Sequence, residues 1–115
     1  MQVQQAAEKL INLSPSVRVV TVCDMNGKLV FSERSKHVRI LLSKKESVMS
    51  LQTAARAWKV RKKLEKKLGP CKYVLAEYAA LKRITMPAGA NHILYITTTR
   101  AFDHNKVIRK VKSFK

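Results

Sequence analysis

Cations at helical spacing are the feature of this sequence that points most directly to a chemistry. In the middle of the chain, basic side chains recur every three or four residues, so a helix would bring them onto one side. These residues are Arg56, Lys59, Lys63, Lys66 and Lys67. A second set near the C-terminus is Lys106, Arg109, Lys110 and Lys112. Amines and guanidinium groups in such rows bind phosphates, so both sets are candidate contacts for DNA or RNA.

The net charge of the chain supports an interpretation of these rows as a binding surface. The 115 residues include 24 lysines and arginines against 7 acidic residues, a net charge of +17. Charged rows are usually solvated surface, yet cations with no acid among them repel one another, and an anionic partner would relieve that repulsion. Motifs for reading a base sequence are missing, since the aromatic residues are few and most of them fall within predicted strands. The charge therefore predicts salt-dependent binding to phosphate backbones without sequence preference.

Residue sets for catalysis and for metal binding are absent from the sequence. The three glycines lie too far apart to form a phosphate-binding loop. The histidines, which show no metal-ligand spacing, are His37, His92 and His104. Asp24 is interpreted as a turn residue and Asp103 as a helix cap. We therefore predict a non-enzymatic protein with no cofactor and no bound metal.

The start of the chain and its two cysteines predict the cellular compartment. No apolar run follows a basic start, and no stretch approaches the length that spans a membrane. We therefore expect a cytoplasmic protein with no membrane partner. Cys23 lies in a predicted strand and Cys71 just before another, so both are expected to be buried, reduced thiols.

The first row of cations lies on a long predicted helix. Ser43, followed three residues later by Glu46, is a capping box that satisfies the first N–H groups of a helix. Gly69 and Pro70 end the helix, because one favours a left-handed conformation and the other cannot continue the hydrogen-bond ladder. About seven turns lie between these signals, so the sequence predicts one helix that spans the domain.

The other side of this helix is apolar. Its residues are Leu51, Ala54, Ala57, Trp58, Leu64 and Leu68. Arg61 and Glu65 fall within this side, one turn apart. They form either a surface salt bridge or a pair that sets the register against another protein chain. The small side chains of Ala54, Ala55 and Ala57 would let a second helix approach closely.

Shorter helices and strands are predicted before and after the long helix in the sequence. Apolar residues at helical spacing predict a first helix that ends near Asn12. Two β-branched runs joined by residues 24–27 predict a hairpin, because Asn-Gly between such runs favours a tight turn. Three later strands are predicted at residues 72–79, 81–86 and 92–99. Asp103 then caps a last amphipathic helix.

The predicted order is α-β-β-α-β-β-β-α in one domain that covers residues 1–115. A five-stranded, mainly antiparallel sheet with the long helix on one face and the terminal helices on the other would bury every apolar stripe. The fold class is therefore an α/β (α+β) sandwich. The register of the strands joined at Ala79 and Ala80 stays open, because that connection carries no turn signal.

The element order, the D-x-x-G turn at residues 24–27 and the long middle helix resemble the roadblock/dynein light chain family and its profilin-like relatives. The segments VRVVTVCDMNGKLVFS, AWKVRKKL and KYVLAEYAALKRITMP resemble more closely an uncharacterised family of small archaeal proteins. The likeness covers nearly the whole chain and consists mainly of the order of elements. No residue within it is diagnostic of a reaction.

The roadblock resemblance implies a non-catalytic homodimer whose interface is formed by the middle helix and the strand after it. Members of that family serve as adaptors, regulators of small GTPases or subunits of motor complexes. On this sequence, the implied interface contains Leu51, Ala54, Trp58, Arg61, Glu65, Tyr73 and Leu75.

Three functions are compatible with these features. The first is a dimeric, non-enzymatic interaction or adaptor module with a strongly basic surface. The second is a basic, sequence-nonspecific nucleic-acid-binding protein or ribonucleoprotein component. The third is a ligand-sensing domain, which requires a pocket between the sheet and the long helix.

Overall fold

The computed structural model describes residues 2–36 and 38–114; His37, one of the three histidines, lies outside the described residues. The elements are α1 (Val3–Ile11), β1 (Val17–Asp24), β2 (Leu29–Arg34), α2 (Lys44–Lys63), α3 (Glu65–Leu68), β3 (Val74–Glu77), β4 (Lys82–Ala88), β5 (His92–Thr98) and α4 (His104–Lys112). The strands form one sheet in the order β2-β1-β5-β4-β3, with every neighbouring pair antiparallel. The predicted fold class and element order are confirmed.

Two separate cores lie on the two faces of the sheet. The side covered by α1 and α4, here called the closed face, contains Leu10, Val20, Leu94, Ile96 and Val107 among its buried residues. The side that α2 crosses, here called the open face, has a smaller cluster of Cys23, Leu51, Ala55, Trp58, Ile93 and Tyr95. The long helix therefore packs opposite the terminal helices, as the apolar stripes predicted.

The turn of the first hairpin is in close contact with α2. The Asp24 carboxylate accepts hydrogen bonds from the backbone N–H groups of Asn26 and Lys28, at 2.8 and 2.9 Å. Gly27 follows with a φ of 82°, and a Cβ on this residue would lie 2.7 Å from the Cα of Gln52 in α2. A glycine is required here twice over, because the turn needs positive φ and the backbone of α2 passes directly above it.

The capping box of α2 is confirmed, but the long helix is interrupted. Ser43 Oγ accepts from the N–H of Glu46 at 3.1 Å, and Glu46 Oε1 accepts from the N–H of Ser43 at 2.8 Å. The helix ends at Lys63, where Leu64 forms a tight turn to the carbonyl of Arg61, and α3 begins at Glu65. Leu64 and the helix beyond it are exposed, so no core contact holds the final turns in line with α2.

The structure fixes the register that the sequence left open. Glu77 lies opposite Lys82, and Val74 lies opposite Thr85. The backbone N–H of Tyr78 donates to the carbonyl of Leu81 at 2.8 Å and closes the turn around Ala79 and Ala80.

The end of the chain is organised as predicted. Asp103 caps α4 by accepting from the N–H of Asn105 at 3.0 Å.

Candidate interaction surfaces

The apolar side of α2 is used first within the chain itself. Leu51, Ala55 and Trp58 are buried against Cys23 and Ile93 on the open face of the sheet. Leu51 and Trp58 belong to the interface that the family resemblance implied. Their side chains are already buried within the protomer, so a partner chain would meet the residues beside them.

Arg61 and Glu65 are not arranged as the helical spacing suggested. The interruption at Leu64 falls between them, which places Glu65 at the exposed start of α3. The guanidinium carbon of Arg61 lies 5.5 Å from the ring centre of Trp58. Arg61 therefore covers the indole as a cation over an aromatic face, an interaction that half-buries its stem.

Tyr73 and Leu75 face away from α2. Leu75 packs against the core of the closed face, and the ring of Tyr73 lies 6.4 Å from that of His104 at the start of α4. Val74, between them, packs beneath α2 on the open face. Successive side chains of a strand alternate between faces, so this segment presents two surfaces rather than one. The period-2 pattern of β3 carried this information in the sequence.

One flank of α2 remains free. Gln52 and Lys59 lie over the β1–β2 turn: a Cβ on Gly27 would meet Gln52, and Lys59 Nζ donates to Asn26 Oδ1 at 2.7 Å. Residues seven apart occupy nearly the same helix side. The roughly opposite side, here called the α2 flank, consists of Ser50, Ala54, Ala57, Arg61 and Leu64, and Val60 lies at its border. Leu64 is 46% exposed on this flank, and Val60 beside it is 56% exposed.

The two cation rows lie on opposite faces of the sheet, as the predicted architecture required. The first row, here called the α2 row, consists of Arg56, Lys59 and Lys63 on α2 and of Lys66 and Lys67 on α3, and all five cations are exposed. In the α4 row, Lys106, Arg109 and Lys112 are exposed and Lys110 is half-buried. No single flat partner on one face of a protomer can contact both rows.

A groove occupies the half of the open face that α2 leaves uncovered; we call it the sheet groove. Its volume is about 790 Å³. Thr97 lies at the centre of its floor, opposite Val19 on β1 and opposite Arg83 on β4. The loop between β2 and α2 forms one wall with Ile40, Leu41 and Leu42. The third function considered above required a pocket in this place.

The floor of the sheet groove is polar. Thr97 Oγ1, Tyr95 Oη and Arg83 Nε are buried atoms with no hydrogen-bond partner among the described residues. The Arg83 guanidinium donates to the Tyr78 hydroxyl at 3.2 Å and lies 4.8 Å from the ring centre of Tyr95. Burial raises the pKa of Tyr95, while the nearby Ser50 hydroxyl and Arg83 oppose that shift.

Sequence reasoning missed this floor. Tyr95 and Thr97 alternate with Leu94 and Ile96 along β5, and the alternation marks one face as more polar than the other. Arg83 lies within the strand predicted at residues 81–86, and the sequence pattern assigned it no function. The signal was therefore present in the pattern of β5, but its meaning depended on which part of the sheet α2 covers.

The two cysteines differ in their burial. Both thiols are free, with Cys23 buried and Cys71 only half-buried, less than predicted. Burial, and to a smaller degree Asp24, raises the pKa of Cys23 to about 11, which leaves it protonated and unreactive at neutral pH. Within residues 2–36 and 38–114, no group of three or more His, Cys, Asp or Glu side chains is placed to hold a metal ion. No described helix is long and apolar enough to cross a membrane.

The fold matches solved structures of roadblock proteins. MglB, a gliding protein of Thermus thermophilus, superposes with a TM-score of 0.77 at 13% sequence identity, over 95% of this chain and 79% of that one. A roadblock/LC7 domain of Streptomyces avermitilis gives 0.71 at 14% identity, over 95% and 91% of the two chains. MglB of Myxococcus xanthus gives 0.71 at 16% identity, over 97% and 89%. The roadblock resemblance noted in the sequence is thus confirmed at the level of the fold. Neither a protein-family model nor a curated protein matches the sequence.

Proposed function

We propose that this protein is a non-enzymatic, homodimeric interaction module of roadblock type, joined through α2 and β3. The observation that carries the proposal is the α2 flank, where small and apolar residues remain at least partly exposed after the rest of the helix has packed on its own sheet. Leu64 lies in the open there, and Val60 is exposed at the border of the flank. Apolar side chains grouped on one helix side are typical of a contact surface.

The α2 flank also has the shape for a helix partner. Ala54 and Ala57 are small and half-buried, so a second helix can approach the backbone closely between Ser50 and Leu64. Arg61 lies on the same flank, over Trp58, where its guanidinium can pair with an acid of another chain. Leu51 and Trp58 would support this contact from beneath.

The edge strand β3 continues this surface. It has only four residues and pairs on one side with β4, while its other edge has no partner strand among the described elements. An open edge offers unpaired backbone N–H and C=O groups to an approaching strand. Two copies related by a two-fold axis could pair their β3 edges and place their α2 flanks side by side. A solved structure with this fold is described as MglB with a tetrameric arrangement, which supports self-association as a use of the fold.

The dimer is tested by a charge placed on the α2 flank. In light scattering we expect the wild type to show the mass of two chains and Leu64→Asp the mass of one, because the aspartate would be desolvated at the contact. Leu64 is exposed, so the protomer should stay folded by circular dichroism. Gln52→Asp is the matched control, since it makes the same charge change on the opposite side of α2. A monomeric wild type, or equal effects of the two variants, would refute the proposal.

Nucleic-acid binding through the α2 row is a second candidate function. The observation that favours it is this row of five exposed cations from Arg56 to Lys67, with Glu65 as the one acid within its span. If about six phosphates are neutralised, the affinity for duplex DNA should fall roughly a thousandfold between about 50 and 200 mM salt.

Two triple variants locate that binding. The first variant replaces Arg56, Lys63 and Lys67 by Glu and should abolish the binding to DNA. Lys59 is left unchanged because its amine donates a hydrogen bond to Asn26. The second variant replaces Lys106, Arg109 and Lys112 by Glu, which is the same change of charge on the other face of the sheet. It should weaken the binding to DNA less than the first variant does. Equal losses would point to net charge rather than to the α2 row.

A further inference from the structure

The sheet groove contains a cation, Arg83, for which the described residues provide no hydrogen-bonded carboxylate. Arg83 lies half-buried in the floor, and its one hydrogen-bond partner among the described residues is the hydroxyl of Tyr78 at 3.2 Å. The rings of Tyr78 and Tyr95 cover the guanidinium at 5.2 and 4.8 Å. Its Nε is buried without a partner. A guanidinium that has lost part of its contact with water is stabilised by a paired anion, so this position favours an anion from outside the chain.

Two hydroxyl groups lie beside this cation. Thr97 and Tyr95 are each 8% exposed and line the groove, and the Thr97 hydroxyl has no hydrogen-bond partner among the described residues. The register places Thr97 directly opposite Arg83. Hydroxyl and guanidinium donors that converge in this way match a carboxylate, which accepts several hydrogen bonds at once.

The walls of the groove are apolar. The β2–α2 loop exposes Ile40, Leu41 and Leu42 in succession, and α2 adds Met49; each of these side chains is at least 37% exposed. Three consecutive exposed aliphatic residues beside a cavity of about 790 Å³ are more than the scattered apolar residues of an ordinary surface. The volume lies within the range of sites that bind small molecules.

The charged residues that line the sheet groove favour a ligand with a negative charge. Arg18, Arg34, Arg39 and Lys44 line the groove, and the acid among its lining residues is Glu46, whose carboxylate is occupied by the capping box. A second copy of this chain is a poor match for such a site, because it carries a net charge of +17 with only 7 acids. An anionic small molecule is the better match.

We propose that the sheet groove binds a long-chain carboxylate, with the carboxylate on Arg83 and Thr97 and the alkyl chain along Ile40, Leu41 and Met49. Every one of these residues belongs to one chain, so the site is complete in a single protomer. The proposal therefore does not depend on the proposed dimer.

The test is a titration of the full chain with a fluorescent C18 polyene carboxylate, below its micelle concentration and at about 150 mM salt. We expect saturable binding of one molecule per chain. Arg83→Met should weaken it about tenfold or more, because a hydrogen-bonded charge pair is lost. Arg109→Met is the matched control, since it removes one exposed arginine from α4, and the affinity should not change. Absence of saturable binding, or equal losses in both variants, would overturn the proposal.

A competition experiment keeps the test independent of how Arg83→Met folds. On the wild type, a neutral C18 alcohol should displace the probe at least about tenfold less well than the C18 carboxylate. Equal displacement would show that the site does not recognise the anionic head, and it would overturn the proposal.

The remaining occupant to test is a second copy of the chain. The flank variant Leu64→Asp should bind the probe with the affinity of the wild type. If the wild type is a dimer that does not bind the probe and Leu64→Asp is a monomer that does, a second copy fills the groove in the assembled protein. That result would support the proposed dimer and overturn the proposed ligand site.

Discussion

The two faces of the sheet differ in how completely helices cover them and in the polarity of their buried side chains. On the closed face, two helices cover the strands, and the buried side chains are apolar apart from Thr98, which follows Leu94 and Ile96 on that side of β5. On the open face, one helix covers only part of the same strands, and Thr21, Thr85 and Thr97 are buried beside Tyr95. The closed face holds the fold together by close packing. The open face has polar groups and free space, which is where a binding function can be accommodated.

Neighbouring residues of β5 should show the largest difference between the faces. Ile96 points into the closed face and is fully buried. We expect Ile96→Ala to lower the free energy of unfolding by about 3 kcal/mol, because the mutation removes buried methyl groups and leaves a cavity. Chemical denaturation monitored by circular dichroism measures the change. A loss below about 1 kcal/mol would mean that the closed face is not tightly packed.

The contact between α2 and the first hairpin should give the next largest effect. We expect Gly27→Ala to destabilise by about 2 kcal/mol, because the new Cβ would meet the backbone of α2 at 2.7 Å. Gly89→Ala is the matched control. Gly89 also has a positive φ, of 72°, but its Cβ would meet no atom within 4 Å. The difference between the two variants isolates the contact with α2 from backbone strain, and equal values would contradict the close approach.

Thr97→Val should change the stability little, within about 1 kcal/mol of the wild type and in the favourable direction. The hydroxyl is buried without a partner among the described residues, so its removal relieves a desolvation cost while the side-chain shape is preserved. Thermal melting of the two proteins side by side is the measurement. A clear loss of stability would show that this hydroxyl is hydrogen-bonded in solution, and it would make the open face more like the closed one.

The turn that meets α2 gives the smallest effect, a dependence on pH. The N–H groups of Lys28 and Asn26 hold the pKa of Asp24 below its usual range. The folded protein therefore binds this proton more weakly than the unfolded chain does. The stabilisation is complete above the unfolded pKa of about 3.9, and it is lost as the pH falls through the lower pKa of the folded state.

Asp24→Asn tests this linkage. At pH 7 the variant should melt below the wild type, and the difference should shrink as the pH falls below about 4. Asp103→Asn is a useful comparison, because the cap of α4 lowers the pKa of Asp103 in the same way. A difference that stays constant with pH would show that the charge of Asp24 does not stabilise the turn.

Local signals were reliable where the physics is local. Ser43 and Glu46 form the predicted capping box, and Asp24 and Asp103 occupy the predicted turn and cap. Each of these depends on hydrogen bonds between residues two to four apart, which the sequence itself brings together. The interruption at Leu64 was not visible, because helix propensity continues through Lys66 and Lys67 while the packing that would hold a straight helix ends earlier.

The candidate sites also differ in how well the sequence predicted them. The exposure of the α2 row followed from helical periodicity, and the structure shows all five cations at the surface. The interface residues were spread among three environments, with Trp58 in the core, Glu65 exposed and Leu75 on the opposite face. Periodicity tells which residues share a side of an element, but it does not tell which side the rest of the chain will cover.

By itself the sequence determined the elements, their order and the charge, because these depend on neighbours along the chain and on composition. Only the tertiary structure decided that α2 covers one part of the open face and leaves Arg83, Tyr95 and Thr97 on the floor of a groove. These residues lie up to 14 positions apart on two strands, and strand pairing is what brings them together. A groove is the space between elements, so it exists only once their packing is fixed.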